Sequence, residues 1–332
     1  MKKYSRRKFI QNSAIGAAAV SASGIISSYS LLGDNEKGKR IPKRTLGKTG
    51  MEVSILSFGG GSQFLKNKDG DWEKLLRKAV ESGINLFDTA PSYTFASFNM
   101  GKNKSLSSEE RYGRVLSEYR DHIILSTKLE SRDPDEVKKN IEESLIRMKT
   151  DHIDILFIHS IEPSDKVVDI ENGVYRELVA LKESGIIRHI GFSSMDSAER
   201  SRDLLEKLDF DVVLLAMNPT GYGDFAKVAL PVAQKKNVGV LAMKVMRNIV
   251  GKEATAKELF EYVWTQKGVS SALVGFFGIE ILEEDIKLAK KFGIKNTAGV
   301  NPKELESRMA KLAGPHALCW ARPGYKDGGI IV

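Results

Sequence analysis

The run Ile123-Ile124-Leu125-Ser126-Thr127-Lys128, the longer stretch Pro134–Met148 and the run Ile153-Asp154-Ile155-Leu156-Phe157-Ile158-His159 decide the fold. The two short runs are almost continuously apolar, as strands covered on both faces must be, and the stretch between them carries apolar residues at helical spacing. A strand, a crossover helix and a second strand make a parallel pair. The alternation recurs on both sides, with strand-like runs at Val53–Phe58, Asn85–Asp88, His189–Ser193, Val212–Met217, Gly239–Lys244 and Ala272–Gly275. Helical stretches such as Trp72–Ser82, Val174–Ser184 and Phe225–Lys236 separate them. Eight such units predict a closed (β/α)8 barrel. A doubly wound open sheet would need G-x-G-x-x-G after its first strand, and this chain has Gly59-Gly60-Gly61-Ser62-Gln63-Phe64 there.

Local chemistry supports several boundaries. Asp133-Pro134-Asp135-Glu136 reads as a capping Asp ahead of a first-turn Pro, with acids at the positive end of a helix. Gly83 and Gly185 each follow a helical stretch, at the position where a left-handed residue ends a helix.

Of the 332 residues, 42% are hydrophobic and 28% charged, which excludes a disordered or fibrous chain. The single cysteine, Cys319, rules out an internal disulfide and any cysteine-built zinc or iron–sulfur site. The net charge of +8 falls to +3 once the five basic residues of 1–33 are set aside, and no dense basic run with interleaved aromatics follows residue 45. Nucleic acid is not an expected partner.

Residues 1–33 have the layout of an export signal. Basic residues end in Ser5-Arg6-Arg7-Lys8-Phe9-Ile10, and a weakly apolar Ala14–Ile26 stretch follows. The arginine pair resembles the twin-arginine signal, which implies the twin-arginine translocation machinery as a partner and the bacterial periplasm as the destination. The apolar stretch is too short and serine-diluted for a permanent membrane span. The expected organisation is a signal over 1–33, a linker over 34–44, a catalytic barrel over 45–300, and a helix and tail over 301–332.

In a barrel, chemistry gathers at the C-terminal ends of the strands. Here three strand ends carry ionisable residues: Asp88 in Phe87-Asp88-Thr89-Ala90-Pro91-Ser92-Tyr93, Lys128, and His159. Unpaired buried charge is costly, so packing alone does not account for the repetition. If they share one mouth with Tyr93, the ammonium favours the phenolate and the carboxylate fixes the ammonium. Tyr93 can then exchange a proton with a substrate oxygen that His159 orients.

The Asp88, Tyr93, Lys128 and His159 set resembles the tetrad of the aldo/keto reductases. The likeness runs from Thr45-Leu46-Gly47-Lys48-Thr49-Gly50 through Ser108-Glu109-Glu110-Arg111-Tyr112-Gly113 to Glu283-Glu284-Asp285. It implies an oxidoreductase that passes hydride between a nicotinamide cofactor and a carbonyl or alcohol substrate, with Tyr93 as proton donor and no metal. The implied cofactor is NADP, with NAD as the alternative. The implied cofactor-binding positions are Ser193, Ser194, Asn218, Met243, Lys244, Gly275, Glu284 and Asp285.

The chain departs from the family at several of these places. Ser194 stands where the family has Asn, Met243 where it has a stacking aromatic, and the basic pair after strand eight is absent. Thr94–Ser107 reads as an insertion beside the mouth, and Trp320 in the tail faces either the pocket or the outside of the barrel. Two rival readings follow: a non-catalytic dinucleotide-binding or regulatory barrel, and a metal-dependent barrel hydrolase.

Overall fold

The structure, a computed structural model, describes residues 40–98, 100, 105–295, 299–325 and 327. The export signal, most of the linker, part of the Thr94–Ser107 insertion and part of the tail lie outside the described residues.

An antiparallel hairpin opens the described chain, with β1 at Lys43–Thr45 and β2 at Glu52–Ser54. The barrel strands follow: β3 Leu56–Gly59, β4 Leu86–Asp88, β5 Ile124–Leu129, β6 Ile153–Ile158, β7 Ile187–Ser194, β8 Val212–Ala216, β9 Gly239–Met243 and β10 Val269–Val274. They close in the order β10-β3-β4-β5-β6-β7-β8-β9, every pair parallel. The expected (β/α)8 barrel and its opening hairpin are therefore present.

The helices are α1 Ser62–Leu65, α2 Asp71–Glu81, α3 Ser108–Val115, α4 Val137–Met148, α5 Val167–Asn172, α6 Val174–Glu183, α7 Ala198–Lys207, α8 Phe225–Val228, α9 Leu230–Lys235, α10 Ala256–Thr265, α11 Ile279–Lys295 and α12 Pro302–Met309. Among the described residues, no helix is long and apolar enough to cross a membrane.

The hairpin caps the N-terminal end of the barrel. Leu46 is fully buried against Gly239, and the Lys48 N–H donates to the Asn237 carbonyl at 2.7 Å. Strands β3 to β10 are buried along almost their whole length, which explains their continuous apolar reading.

Three local expectations need correction. The run Val53–Phe58 is two strands, because it turns at Ile55 from the hairpin into the barrel. The stretch Phe225–Lys236 is two short helices, since Pro231 in the first turn of α9 starts a new one. Helix α4 starts at Val137 with Glu136 as its cap. Asp133 instead accepts from the Asp135 N–H at 2.9 Å, a local turn that competes with capping. Gly83 and Gly185 end α2 and α6 with φ of 95° and 76°, as expected.

Candidate active site

The end of β4 places Asp88 beside Gly59 of β3 and Ser126 of β5. Helix α3 braces that end, for the Tyr112 hydroxyl donates to the Asp88 carbonyl at 3.1 Å. The Asp88 carboxylate accepts from the Ser126 hydroxyl at 2.8 Å and from Lys128 Nζ at 2.6 Å. Lys128 also donates to the Thr89 carbonyl at 2.8 Å, so the buried ammonium is hydrogen-bonded as well as paired.

Tyr93 sits where the chain turns back toward α3, and its carbonyl accepts from the Ser108 N–H at 2.9 Å. Its ring lies 4.6 Å from Lys128 Nζ and 6.0 Å, edge to face, from the His159 ring. His159 follows the last residue of β6, and its N–H donates to the Leu129 carbonyl at 3.0 Å. The four side chains that the strand ends suggested therefore meet at one rim.

Two further acids complete the cluster. Glu130, two residues beyond Lys128, lies 2.7 Å from His159 Nδ1. Asp327 enters from the tail, and one of its oxygens, Oδ2, accepts from the Tyr93 hydroxyl at 3.0 Å and faces His159 Nε2 at 3.4 Å. Its other oxygen meets Lys244 Nζ at 2.6 Å and the Tyr325 hydroxyl at 3.3 Å. Glu130 was readable from its position at a strand end. Asp327 was not, because it lies 168 residues from His159 and on no barrel strand.

The electrostatics depart from the sequence expectation at Tyr93. Burial, then the charges of Asp327 and Asp88, hold its hydroxyl well above the ordinary value, so the neighbouring ammonium does not free a phenolate. Tyr93 is a protonated donor at rest. Burial opposes charge on His159, yet Glu130 and Asp327 outweigh it and raise the imidazole above its usual value. Burial likewise opposes charge on Asp327, and Lys244 with His159 overcomes it and holds that carboxyl well below its usual range.

A cavity of about 760 Å³ opens from Asp88 and Tyr93 along the ends of β9 and β10. Met243, Lys244, Gly275 and Asp285 lie on its wall. Ser193, Ser194, Asn218 and Glu284 do not. The Ser193 hydroxyl accepts from the Ser160 N–H at 2.8 Å, and the Ser194 hydroxyl donates to the Ile161 carbonyl at 3.1 Å. Both serines thus shape the loop that carries His159. Asn218 accepts from the Thr220 hydroxyl and borders a separate cavity of about 330 Å³. Glu284 is exposed.

Arg247, Gln63 and Phe277 line the main cavity without having been foreseen. Of the insertion, Phe98 and Met100 line it too, and Phe98 packs 5.8 Å from the Tyr93 ring, so these two residues form part of the mouth. Trp320 is buried in the main apolar core, which takes it out of the pocket, while its neighbour Cys319 reaches the cavity wall. Among the described residues, no group of three metal-ligating side chains is found.

Comparison with known proteins agrees with this fold. Residues 56–289 match the model of the aldo/keto reductase family. L-Galactose dehydrogenase of Arabidopsis thaliana is 28% identical over 325 residues, covering 85% of this chain and 97% of its own. An uncharacterized oxidoreductase of Bacillus subtilis is 28% identical, covering 74% of this chain and 90% of its own. Among solved structures, a putative aldo-keto reductase of Pseudomonas aeruginosa superposes with a TM-score of 0.61 at 28% identity, covering 75% of this chain and 94% of that one. The non-catalytic reading finds no support among these relatives. The chain belongs to the aldo/keto reductase family, and it is a nicotinamide-dependent oxidoreductase built on a (β/α)8 barrel.

Proposed function

We propose that the chain reduces a carbonyl carbon, or oxidises the matching alcohol, with Tyr93 as the proton donor and acceptor. The observation that carries this reading is the single oxygen shared by the Tyr93 hydroxyl and His159 Nε2, at 3.0 and 3.4 Å. Two donors converging on one point form a place for a carbonyl oxygen on which negative charge develops. As Tyr93 gives up its proton, the Lys128 ammonium over its ring stabilises the phenolate that remains. Asp88 holds that ammonium, and Glu130 holds His159 as a donor.

The cavity suits a dinucleotide in size, and its wall changes character along its length. Leu214 and Met243 offer apolar surface for a nicotinamide ring, Lys66 and Arg247 offer cations for phosphates, and Phe277 with Asp285 lines the end next to α11. When bound there, the nicotinamide supplies or takes up the hydride. NADP is the cofactor the family generally uses and the one proposed here. NAD is the second reading, favoured by Asp285 on the wall and by the missing basic pair.

Tyr93→Phe tests the mechanism. Turnover should fall about 10³-fold, the scale of a lost general acid, while NADPH or NADH still quenches the intrinsic fluorescence. Full activity in this variant would refute Tyr93 as donor. Titrating the wild type with both cofactors orders their affinities.

The chain is further proposed to pass through the twin-arginine route to the periplasm, as an already folded protein, on the strength of Arg6-Arg7-Lys8-Phe9-Ile10. Replacing Arg6 and Arg7 by Lys should leave the protein in the cytoplasmic fraction. Equal periplasmic recovery of both forms would refute the proposal.

A further inference from the structure

Lys244 is a buried cation at the reacting centre, and the proposed proton transfer does not use it. It follows β9, and its backbone takes a left-handed φ of 58°, uncommon for a residue with a side chain. Its side chain is 6% exposed, and the acid it pairs with is Asp327. That carboxylate makes four polar contacts. Oδ2 faces the Tyr93 hydroxyl and His159 Nε2, whereas Oδ1 faces Lys244 Nζ and the Tyr325 hydroxyl.

Asp327 therefore stands on the point that the proton donor needs for a substrate oxygen. A substrate cannot reach Tyr93 until this carboxylate moves away. Lys244 would then be left as a buried ammonium without its partner, an expensive state. A substrate that brings its own anion beside its carbonyl avoids that cost.

We propose that Lys244 is a specificity-determining residue that recognises a carboxylate next to the reacting carbonyl, so that the substrates are 2-oxo acids and their 2-hydroxy acid products. The proposal rests on the reading of Tyr93 as proton donor given above. The keto oxygen takes the position of Asp327 Oδ2, and the nearer carboxylate oxygen takes that of Oδ1. These two oxygens sit on adjacent carbons in a 2-oxo acid and on one carbon in Asp327, so they stand somewhat further apart in the substrate, a difference that the flexible stem of Lys244 takes up. The balance of the reaction is simple. The keto carbon gains a hydride from the reduced nicotinamide, its oxygen gains the Tyr93 proton, and the carboxylate is unchanged. The charge of Lys244 lies at Oδ1 of the same carboxylate whose Oδ2 Tyr93 and His159 share, one oxygen away from the reacting position, which marks it for the substrate and not for a remote phosphate.

Oxamate, an unreactive analogue of a 2-oxo acid, tests this by calorimetry on the full chain without cofactor. Asp327→Ala should bind oxamate at least tenfold more tightly than wild type, because the internal competitor is gone, and Asp327→Asn should repeat the gain. Adding Lys244→Met to Asp327→Ala should remove it. In turnover, the ratio of kcat/KM for phenylglyoxylate over benzaldehyde should fall at least tenfold in Lys244→Met, with the NADPH dissociation constant changed less than threefold. Unchanged oxamate affinity in both Asp327 variants, or an unchanged substrate ratio in Lys244→Met, overturns the proposal. Loss of NADPH affinity in Lys244→Met with the ratio intact also overturns it and makes Lys244 a phosphate ligand. The reading of Tyr93 fails separately, if Tyr93→Phe reduces benzaldehyde as fast as wild type.

Discussion

His159 depends on Glu130 for its charge. The Nδ1 contact at 2.7 Å, together with Asp327, holds the imidazole above its ordinary value despite burial. A raised histidine stabilises the fold fully below its unfolded value of about 6.5, and that stabilisation is lost as pH rises through the folded value. Glu130→Gln keeps the shape and removes the charge. The His159 resonance should then titrate at lower pH by NMR, and the variant should be less stable than wild type near pH 6 by urea unfolding, with the gap narrowing at higher pH. A His159 midpoint equal to that of wild type would show that Glu130 does not control it. At this scale the tetrad was legible, because strand ends expose chemistry that packing alone does not require. Ser193 and Ser194 lie off the wall of the main cavity, and the sequence cannot reveal that the first accepts from and the second donates to the loop after β6.

The elements that carry the site are held by close helix packing. Helix α3 braces β4 through Tyr112, and it can do so because Gly113 lets it approach the end of α4. A Cβ on Gly113 would run into the Arg147 carbonyl oxygen and lie 2.8 Å from the Met148 carbonyl carbon. Backbone cannot yield as a flexible side chain can. Gly113→Ala should therefore destabilise by about 1–3 kcal/mol in urea unfolding and lower turnover by shifting Asp88. Unaltered stability would mean that the two helices separate freely. Buried Glu109 adds to this brace, accepting from the Thr127 hydroxyl and from Arg147 Nε, each at 2.6 Å. Element type and order were readable from periodicity, which reports the faces a segment buries. Exact ends were not, because the breaks at Ile55 and before Pro231 answer to how the chain must turn in space.

Across the whole molecule, function depends on a large cavity with buried charge in its wall, and such a wall limits stability. Asp285 on α11 is buried at the cavity edge, and burial, then the charge of Glu284, pushes its carboxyl up to about 7. The folded chain thus keeps a proton that the unfolded chain loses near pH 4, so stability falls as pH rises from about 4 to about 7 and then levels off. The loss cannot exceed about 4 kcal/mol, the free-energy equivalent of the shift. Asp285→Asn removes the titration while keeping the shape. It should match wild type near pH 4, exceed it at pH 8 by urea unfolding, and change the ratio of NADPH to NADH affinity if this wall holds the far end of the cofactor. Parallel stability profiles for the two proteins between pH 4 and 8 would show that water reaches Asp285 and screens it, and that the cavity is wetter at this end than its burial implies.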